Sequence, residues 1–122
     1  LQRDKTNLIW GKCSKYEKVT VKIGTFKRTF TTGSSGSWSC SIPAFNSGGP
    51  YTLEIISKNT IVIKDVVFGD VWLASGQSNM AYTMNRTQNY ALHNQSYTTT
   101  GVRRMHIKQV ASQSPIDTVT VD

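Results

Sequence analysis

The sequence predicts a mainly β protein, in which an amino-terminal antiparallel β-sandwich is followed by the opening β-α-β part of an α/β domain. Two observations lead to this fold class. Up to Phe68, six short segments rich in β-branched and aromatic residues recur about every 8 to 12 residues, with turn-forming residues between them. After Phe68, the segment 71–75 is apolar and offers no outward polar position, as in a strand that is covered on both faces.

The six predicted strands of the sandwich are half-buried. They span 8–10, 19–23, 26–32, 38–42, 51–56 and 60–67. Glycine, serine, asparagine and proline at 33–36, 46–50 and 57–59 form the clearest turns between them. In the segment KVTVKI, Val19, Val21 and Ile23 alternate with polar residues, so one face of the sheet is expected to be buried and the other to face water.

The pattern changes near Phe68, and we place a domain boundary there. Residues 1–68 are predicted to form the sandwich, and residues 69–122 to begin a second, incomplete domain. In this second part, the apolar strand 71–75 leads into a turn at Gly76 and Gln77. A weakly helical segment at 79–97 and a strand at 102–110 follow, which together resemble the start of an α/β layer fold.

Charge and hydropathy restrict the partners. Fourteen Lys and Arg residues against seven Asp and Glu give a net charge of +7, which favours acidic ligands at long range. The basic residues are scattered along the strands, as on a solvated sheet face. No apolar stretch approaches the roughly 18 residues that a membrane-spanning helix needs. We therefore expect no membrane association.

Two cysteines and two glycosylation sequons bear on the cellular compartment. Cys13 and Cys40 are either two buried thiols or a disulfide, which would close a loop of about 28 residues and add roughly 3 to 4 kcal/mol in the chain-entropy model. Asn85 and Asn94 each begin an Asn-x-Ser/Thr sequon. The sequons favour a lysosomal or secreted protein and make the Cys13–Cys40 disulfide a candidate.

Small polar residues lie at the carboxyl end of the predicted strand 71–75 and directly after it. They are Ser75, Gln77, Ser78 and Asn79. At the carboxyl end of such a strand, a serine on a sharp turn is exposed and neighbouring N–H groups can stabilise an oxyanion. The same residues are also good helix N-caps. The pattern leaves both interpretations open, and the Gly-x-Ser-x-Gly motif is not met.

The stretch GDVWLASGQSNM, residues 69–80, closely resembles the entry to the catalytic domain of sialate O-acetylesterases, members of the SGNH hydrolase superfamily. Segments 1–12, 48–55 and 61–72 also resemble that family, so the likeness extends over essentially the whole chain. It implies that residues 69–122 are the start of an SGNH-type esterase domain.

The resemblance implies a metal- and cofactor-free serine esterase that removes acetyl groups from sialic acids. Ser78 matches the nucleophile. Gly76 and Gln77 shape the turn, the Ser78 N–H is an oxyanion donor, and Asn79 caps the next segment or supports the site. The expected partners are an O-acetylated sialic acid or related sugar and the remainder of the catalytic domain.

The sequence departs from the family at several points. Ala74 stands where cysteine is common, and Ala81 where an acidic residue is common. The Asp-x-x-His segment that supplies the base is absent from the 122 residues, and we expect His93 and His106 to lie on the surface. Since loss of the histidine alone costs a serine hydrolase on the order of 10⁶ in turnover, this chain by itself is expected to be nearly inactive.

Two other function classes stay open at this stage. A stand-alone sandwich could bind sugars or a polyanion without catalysis, through Trp10, Tyr16, Trp38 and Tyr51. Stacking on a ligand requires an exposed ring, however, and Trp38 alternates with Cys40 and Ile42, so we expect it to lie in the core. A basic β-barrel could bind single-stranded nucleic acid through Phe26, Arg28 and Phe30, which share one strand face. That spacing is common in ordinary strands, and we expect no nucleic-acid partner.

Overall fold

A computed structural model of the protein describes residues 1–93, 101–108 and 110–116. All six predicted strands are present. They are β1 (Asn7–Lys12), β2 (Lys18–Ile23), β3 (Phe26–Thr31), β4 (Ser37–Ile42), β5 (Gly48–Ile56) and β6 (Thr60–Phe68). Helical structure in the described residues is limited to 3-10 helices at Ser78–Ala81 and Met84–Arg86 and to a four-residue helix α1 (Tyr90–His93). The mainly β fold class is confirmed.

The strands form two antiparallel sheets. One contains β1 and β4, and the other has the order β3-β2-β5-β6. In the first sheet, Asn7 pairs with Ile42 and Lys12 with Ser37, so that the two strands are aligned over their full length. In the second, the tight turn from β2 to β3 passes through Gly24, whose φ of 54° suits glycine.

The two sheets share one apolar core, as expected of a sandwich. Its fully buried members come from both sheets and are Val19, Val21, Ile23, Cys40, Ile42, Leu53 and Phe68. The alternation of β2 is confirmed, because its three apolar side chains lie in this core while Lys18 is exposed. Phe26 and Phe30 of β3 also pack against the core.

The chain divides into two compact units, Leu1–Ala74 and Ser75–Asp122. The first contains both sheets, and the second contains the short helices. The functional division into a sandwich at 1–68 and the start of an esterase domain at 69–122 stays a prediction.

The candidate disulfide between Cys13 and Cys40 is not formed, and both cysteines are free. The strand register explains why. The Cys13 N–H donates to the carbonyl of Gly36 at 3.0 Å, so Cys13 lies opposite Gly36. Cys40 is four residues further along β4, a separation of about 13 Å at the usual rise per residue. A disulfide needs Cα atoms within about 7 Å, so this prediction is wrong.

The regular elements predicted after Phe68 are largely not found in the described residues. Segment 71–75 has no strand, because no neighbouring strand pairs with it there. The described part of the predicted helix, 79–93, is divided into three short pieces, consistent with the low helix propensity of its asparagines, threonines and tyrosines. Residues 102–108 form no continuous strand. Residues 94–97 of the predicted helix lie outside the described residues.

Candidate functional site

The candidate site begins where β6 ends in the core. Phe68 is buried and stacks on Phe45, with 4.4 Å between ring centroids and 5° between ring planes. Gly69 forms an isolated parallel bridge with Gln2, and its N–H donates to the carbonyl of Leu1 at 3.0 Å. The amino-terminal residues therefore hold the chain at the point where it leaves β6.

Asp70 of the GDVWL stretch is held by an ion pair. Its Oδ1 accepts a hydrogen bond from Nε of Arg3 at 2.9 Å. This hydrogen bond holds the pKa of Asp70 below its ordinary value, and Asp70 in turn raises the pKa of Arg3. One residue further, the Val71 N–H donates to Oε1 of Gln2 at 2.9 Å. The direction of the chain on entering segment 71–75 is thus fixed by side chains near the amino terminus.

The apolar side chains of segment 71–75 are exposed in this structure. Val71 is 64% exposed, and Trp72 and Leu73 are each 87% exposed. Surface patches of this kind are typical of segments that another part of a protein covers. The sequence-based expectation of burial on both faces is therefore not met within the described residues.

A sharp turn presents Ser78. Gly76 has a φ of 156°, and a Cβ atom at this position would lie 2.8 Å from Cγ of Met80. The 3-10 helix Ser78–Ala81 follows, closed by the Met80 N–H, which donates to the Gln77 carbonyl at 2.9 Å. The positive φ and the nearby Met80 side chain both favour glycine at position 76.

Ser78 is exposed and is not used as a helix cap. The N-cap residue is Gln77, which forms no side-chain capping bond. Within the described residues, the Ser78 hydroxyl has no hydrogen-bond partner, and the N–H groups of Ser78 and Asn79 donate to no backbone carbonyl. A hydroxyl beside unused N–H donors is the arrangement that nucleophilic attack on an ester carbonyl requires.

The other predicted site residues are placed as follows. Asn79 accepts at its carbonyl the hydrogen bond of the Tyr82 N–H at 3.2 Å, so its backbone supports the turn. Asn85 is exposed, as a glycosylated asparagine must be, and its Oδ1 accepts a hydrogen bond from the Thr83 hydroxyl at 2.6 Å. Asn94 and its sequon lie outside the described residues.

His106 is exposed, as expected, and nothing is described of the His93 side chain. The described residues contain no group of three or more His, Cys, Asp or Glu side chains that could hold a metal ion. Nor do they contain a helix with the length and hydropathy to span a membrane.

The structure bears on the two binding interpretations, nucleic-acid binding and sugar or polyanion binding. Phe26 and Phe30 pack against the core, so they are not available to stack on nucleic-acid bases. Trp38 also packs against the core, whereas Trp10 is 75% exposed and has no aromatic partner among the described residues. The core position of Trp38, expected from its alternation with Cys40 and Ile42, is therefore confirmed. The alternation of β1, with Ile9 inward, was the signal that could have placed Trp10 on the surface.

Comparison with known proteins gives a consistent set of relatives. The chain matches no protein-family model. It is 37% identical to rat (Rattus norvegicus) sialate O-acetylesterase over 78 residues, which are 59% of this chain and 13% of the rat protein. It is 28% identical to the mouse (Mus musculus) enzyme over 116 residues, 88% of this chain and 20% of that protein. The human enzyme (Homo sapiens) is 36% identical over 89 residues, 63% of this chain and 17% of that protein. The chain thus spans a fifth or less of these curated relatives.

A solved structure is similar along the whole chain. The crystal structure of a carbohydrate acetylesterase from Xanthomonas citri matches with a TM-score of 0.81 and 26% sequence identity. The match covers 100% of this chain and 29% of the bacterial one. The sandwich and the segment that follows it therefore occur in both proteins.

Proposed function

We propose that this chain, which belongs to the sialate O-acetylesterase family, carries the nucleophile of a serine esterase that removes acetyl groups from sugar hydroxyls. The observation that carries the proposal is the exposed Ser78 hydroxyl beside unused N–H groups, at the end of the GDVWLASGQSNM stretch. The relatives named as sialate O-acetylesterases favour an O-acetylated sialic acid as the substrate.

The proposed reaction proceeds through an acyl-enzyme. The Ser78 Oγ attacks the acetyl carbonyl and gives up its proton to a base, while the N–H of Ser78 donates to the oxygen that becomes negatively charged. The C–O bond to the sugar then breaks, and the sugar oxygen takes the proton from the base. Water attacks the acetyl-serine, which releases acetate and restores the hydroxyl.

The base is expected from the remainder of the catalytic domain. The 122 residues contain no Asp-x-x-His segment, and an unactivated serine hydroxyl is a poor nucleophile at neutral pH. We therefore infer that the chain alone is nearly inactive and that activity requires a longer protein of which it is part.

Substitution of Ser78 in the longer protein tests the proposal. Ser78→Ala is expected to lower kcat for O-acetylated sialic acid by on the order of 10⁴- to 10⁶-fold, because the acyl-enzyme cannot form. Ser75→Ala is the matched control, since it removes an exposed hydroxyl three residues earlier and is expected to leave turnover within about twofold. A fluorophosphonate probe should label residue 78 in the Ser75→Ala protein and not in the Ser78→Ala protein. Full activity of the Ser78→Ala protein would overturn the proposal.

A lysosomal or secreted location is proposed on the two sequons. Asn85 is exposed on a short 3-10 helix, as attachment of a glycan requires. The measurement is the gel mobility of the protein before and after enzymatic deglycosylation, for the unmodified sequence and for Asn85→Gln and Asn94→Gln. An unchanged mobility in all cases would contradict this assignment.

A further inference from the structure

The outward face of the sheet formed by β1 and β4 carries an unusual combination of side chains. On β1, Ile9 faces the core, so Trp10 and Lys12 point outward, and Trp10 is 75% exposed. An exposed tryptophan is a large apolar surface in water, and an isolated one on a strand is often part of a binding surface. The neighbours of Trp10 decide what it would bind.

The strand register places hydroxyl groups beside both residues. Trp10 pairs with Ser39, and Lys12 pairs with Ser37. Both serines are exposed, and within the described residues neither hydroxyl has a hydrogen-bond partner. Lys12 likewise forms no ion pair with a described carboxylate. An aromatic plane, two hydroxyls and an unused ammonium group therefore lie together on one sheet face.

These residues line an open groove of about 620 Å³, together with Gly11 and Trp38. Gly11 is directly opposite Trp38, and a Cβ atom at Gly11 would lie only 2.8 Å from Cζ2 of the Trp38 indole. The Trp38 ring also contacts Phe30, with centroids 5.8 Å apart. The absence of a side chain at Gly11 thus lets the Trp38 indole lie close against the β1 backbone.

We propose that this surface, the Trp10–Lys12 platform, binds a saccharide that carries a carboxylate. The apolar C–H face of a pyranose ring would lie on the Trp10 indole. The carboxylate would pair with Nζ of Lys12, and the sugar hydroxyls would exchange hydrogen bonds with Ser37 and Ser39.

Charge and composition favour this occupant over the alternatives. The net charge of +7 and the unpaired Lys12 are complementary to an anionic ligand. Nucleic acid would need several stacking residues, whereas Trp10 has no aromatic neighbour within the described part of this face. A protein partner would need a larger apolar surface than one tryptophan and Leu8 beside it.

The platform lies in the unit Leu1–Ala74, which does not contain the Ser78 turn. The proposal goes beyond the esterase function and does not depend on it. Binding at the platform and turnover at Ser78 can therefore be measured separately, and failure of one leaves the other standing.

The test is a titration of the 122-residue chain with 3′-sialyllactose, followed by NMR or calorimetry, with neutral lactose as the comparison sugar. Trp10→Ala is expected to weaken binding of both sugars by about tenfold or more, and Trp10→Phe to retain part of it, because a ring remains for stacking. Lys12→Gln is expected to weaken sialyllactose binding by about two- to fivefold and to leave lactose unchanged. Lys27→Gln, which makes the same change in net charge on the exposed edge strand β3, is the matched control and should have no effect.

Three results would overturn the proposal. One is the absence of saturable sialyllactose binding by the folded chain. Another is equal weakening by Lys12→Gln and Lys27→Gln, which would indicate nonspecific attraction to net charge. The third is self-association of the chain that Trp10→Ala abolishes, which would identify the face as a contact between copies. Circular dichroism of each variant distinguishes loss of binding from loss of folding.

Discussion

At the scale of single residues, the Glu17 carboxylate joins its own loop, between β1 and β2, to the turn between β5 and β6. Its carboxylate accepts hydrogen bonds from the Ser57 hydroxyl, from the Lys58 N–H at 3.0 Å and from the Ser14 N–H at 2.9 Å. The hydrogen bond from Ser57, followed by that from Lys58, lowers the pKa of Glu17 from 4.5 to about 2. The charged form of Glu17 is therefore stabilised by folding, and this contribution depends on pH.

Glu17→Gln is expected to destabilise the sandwich at pH 7, because an amide group cannot accept at both of its ends and would set an NH₂ group against one of the backbone donors. The folded-state pKa lies below the unfolded-state value, so the stabilisation is present above about pH 4.5 and is lost as the pH falls towards 2. Urea midpoints of the two proteins should therefore differ at pH 7 and converge near pH 2.

Glu54→Gln is the matched control for that measurement. Glu54 forms a half-exposed ion pair with Lys22 at 3.4 Å, and its carboxylate accepts no hydrogen bond from a backbone N–H of the described residues. Its substitution should change the urea midpoint only slightly, since exposed ion pairs contribute little. A pH-independent difference between Glu17→Gln and the unmodified protein would contradict the assigned role of Glu17.

At the scale of elements, the pairing of β1 with β4 depends on one glycine. Gly36 precedes β4 with a φ of 70°, and a Cβ atom there would lie 2.1 Å from the carbonyl oxygen of Cys13. Because the obstacle is backbone, it cannot rotate away as a side chain would. The same contact region includes the Cys13 N–H, which donates to the Gly36 carbonyl at 3.0 Å.

Gly36→Ala is expected to lower the free energy of unfolding by at least about 2 kcal/mol, through the combination of a left-handed backbone and a steric clash. Gly33→Ala serves as the control in the same turn. A Cβ atom at Gly33 would have no heavy atom within 4 Å, and Gly33 has no positive φ. Its substitution should therefore change the free energy of unfolding by no more than about 0.5 kcal/mol. The measurement is thermal unfolding of both variants. Equal stability of Gly36→Ala and Gly33→Ala would contradict the prediction, because it would show that the clash at Gly36 is relieved at little cost.

The elements also show what a sequence pattern can and cannot predict. The strands β1 to β6 were predicted to within a few residues because they are rich in β-branched and aromatic residues and are bounded by turn residues. Segment 71–75 has an equally clear apolar pattern and yet forms no strand in the described residues. An apolar run indicates that a segment prefers burial, but its hydrogen bonds must come from a neighbouring strand.

At the scale of the whole molecule, the candidate site likewise combines local features, which consecutive residues determine, with features that depend on distant parts of the chain. The turn around Ser78 is local, and its glycine, serine and motif could be recognised from consecutive residues. The base and the further oxyanion donors that the proposed reaction needs would be long-range features, and no consecutive pattern in the 122 residues supplies them. Trp10 was a sugar-binding candidate from the sequence, but its grouping with Lys12, Ser37 and Ser39 could not be predicted. That grouping depends on the register between β1 and β4, which pairs Trp10 with Ser39.

The exposed segment 71–75 gives the last prediction. In a protein with the length of the curated relatives, we expect this segment to be a central strand, with both edges hydrogen-bonded and Trp72 and Leu73 covered, in contrast to their 87% exposure here. Its amide hydrogens should exchange on the order of 100-fold more slowly in the longer protein than in the 122-residue chain.

Hydrogen exchange followed by mass spectrometry makes the comparison within one experiment. Peptides from β2 should be protected in both proteins, because Val19, Val21 and Ile23 lie in the sandwich core, and the turn 33–36 reports the behaviour of a short loop in both. If exchange at 71–75 is equally fast in the two proteins, the segment is not a sheet strand and cannot position the Ser78 turn from a rigid scaffold. Slow exchange confined to the longer protein would instead show that segment 71–75 gains backbone hydrogen bonds there, as a strand that leads into the Ser78 turn must.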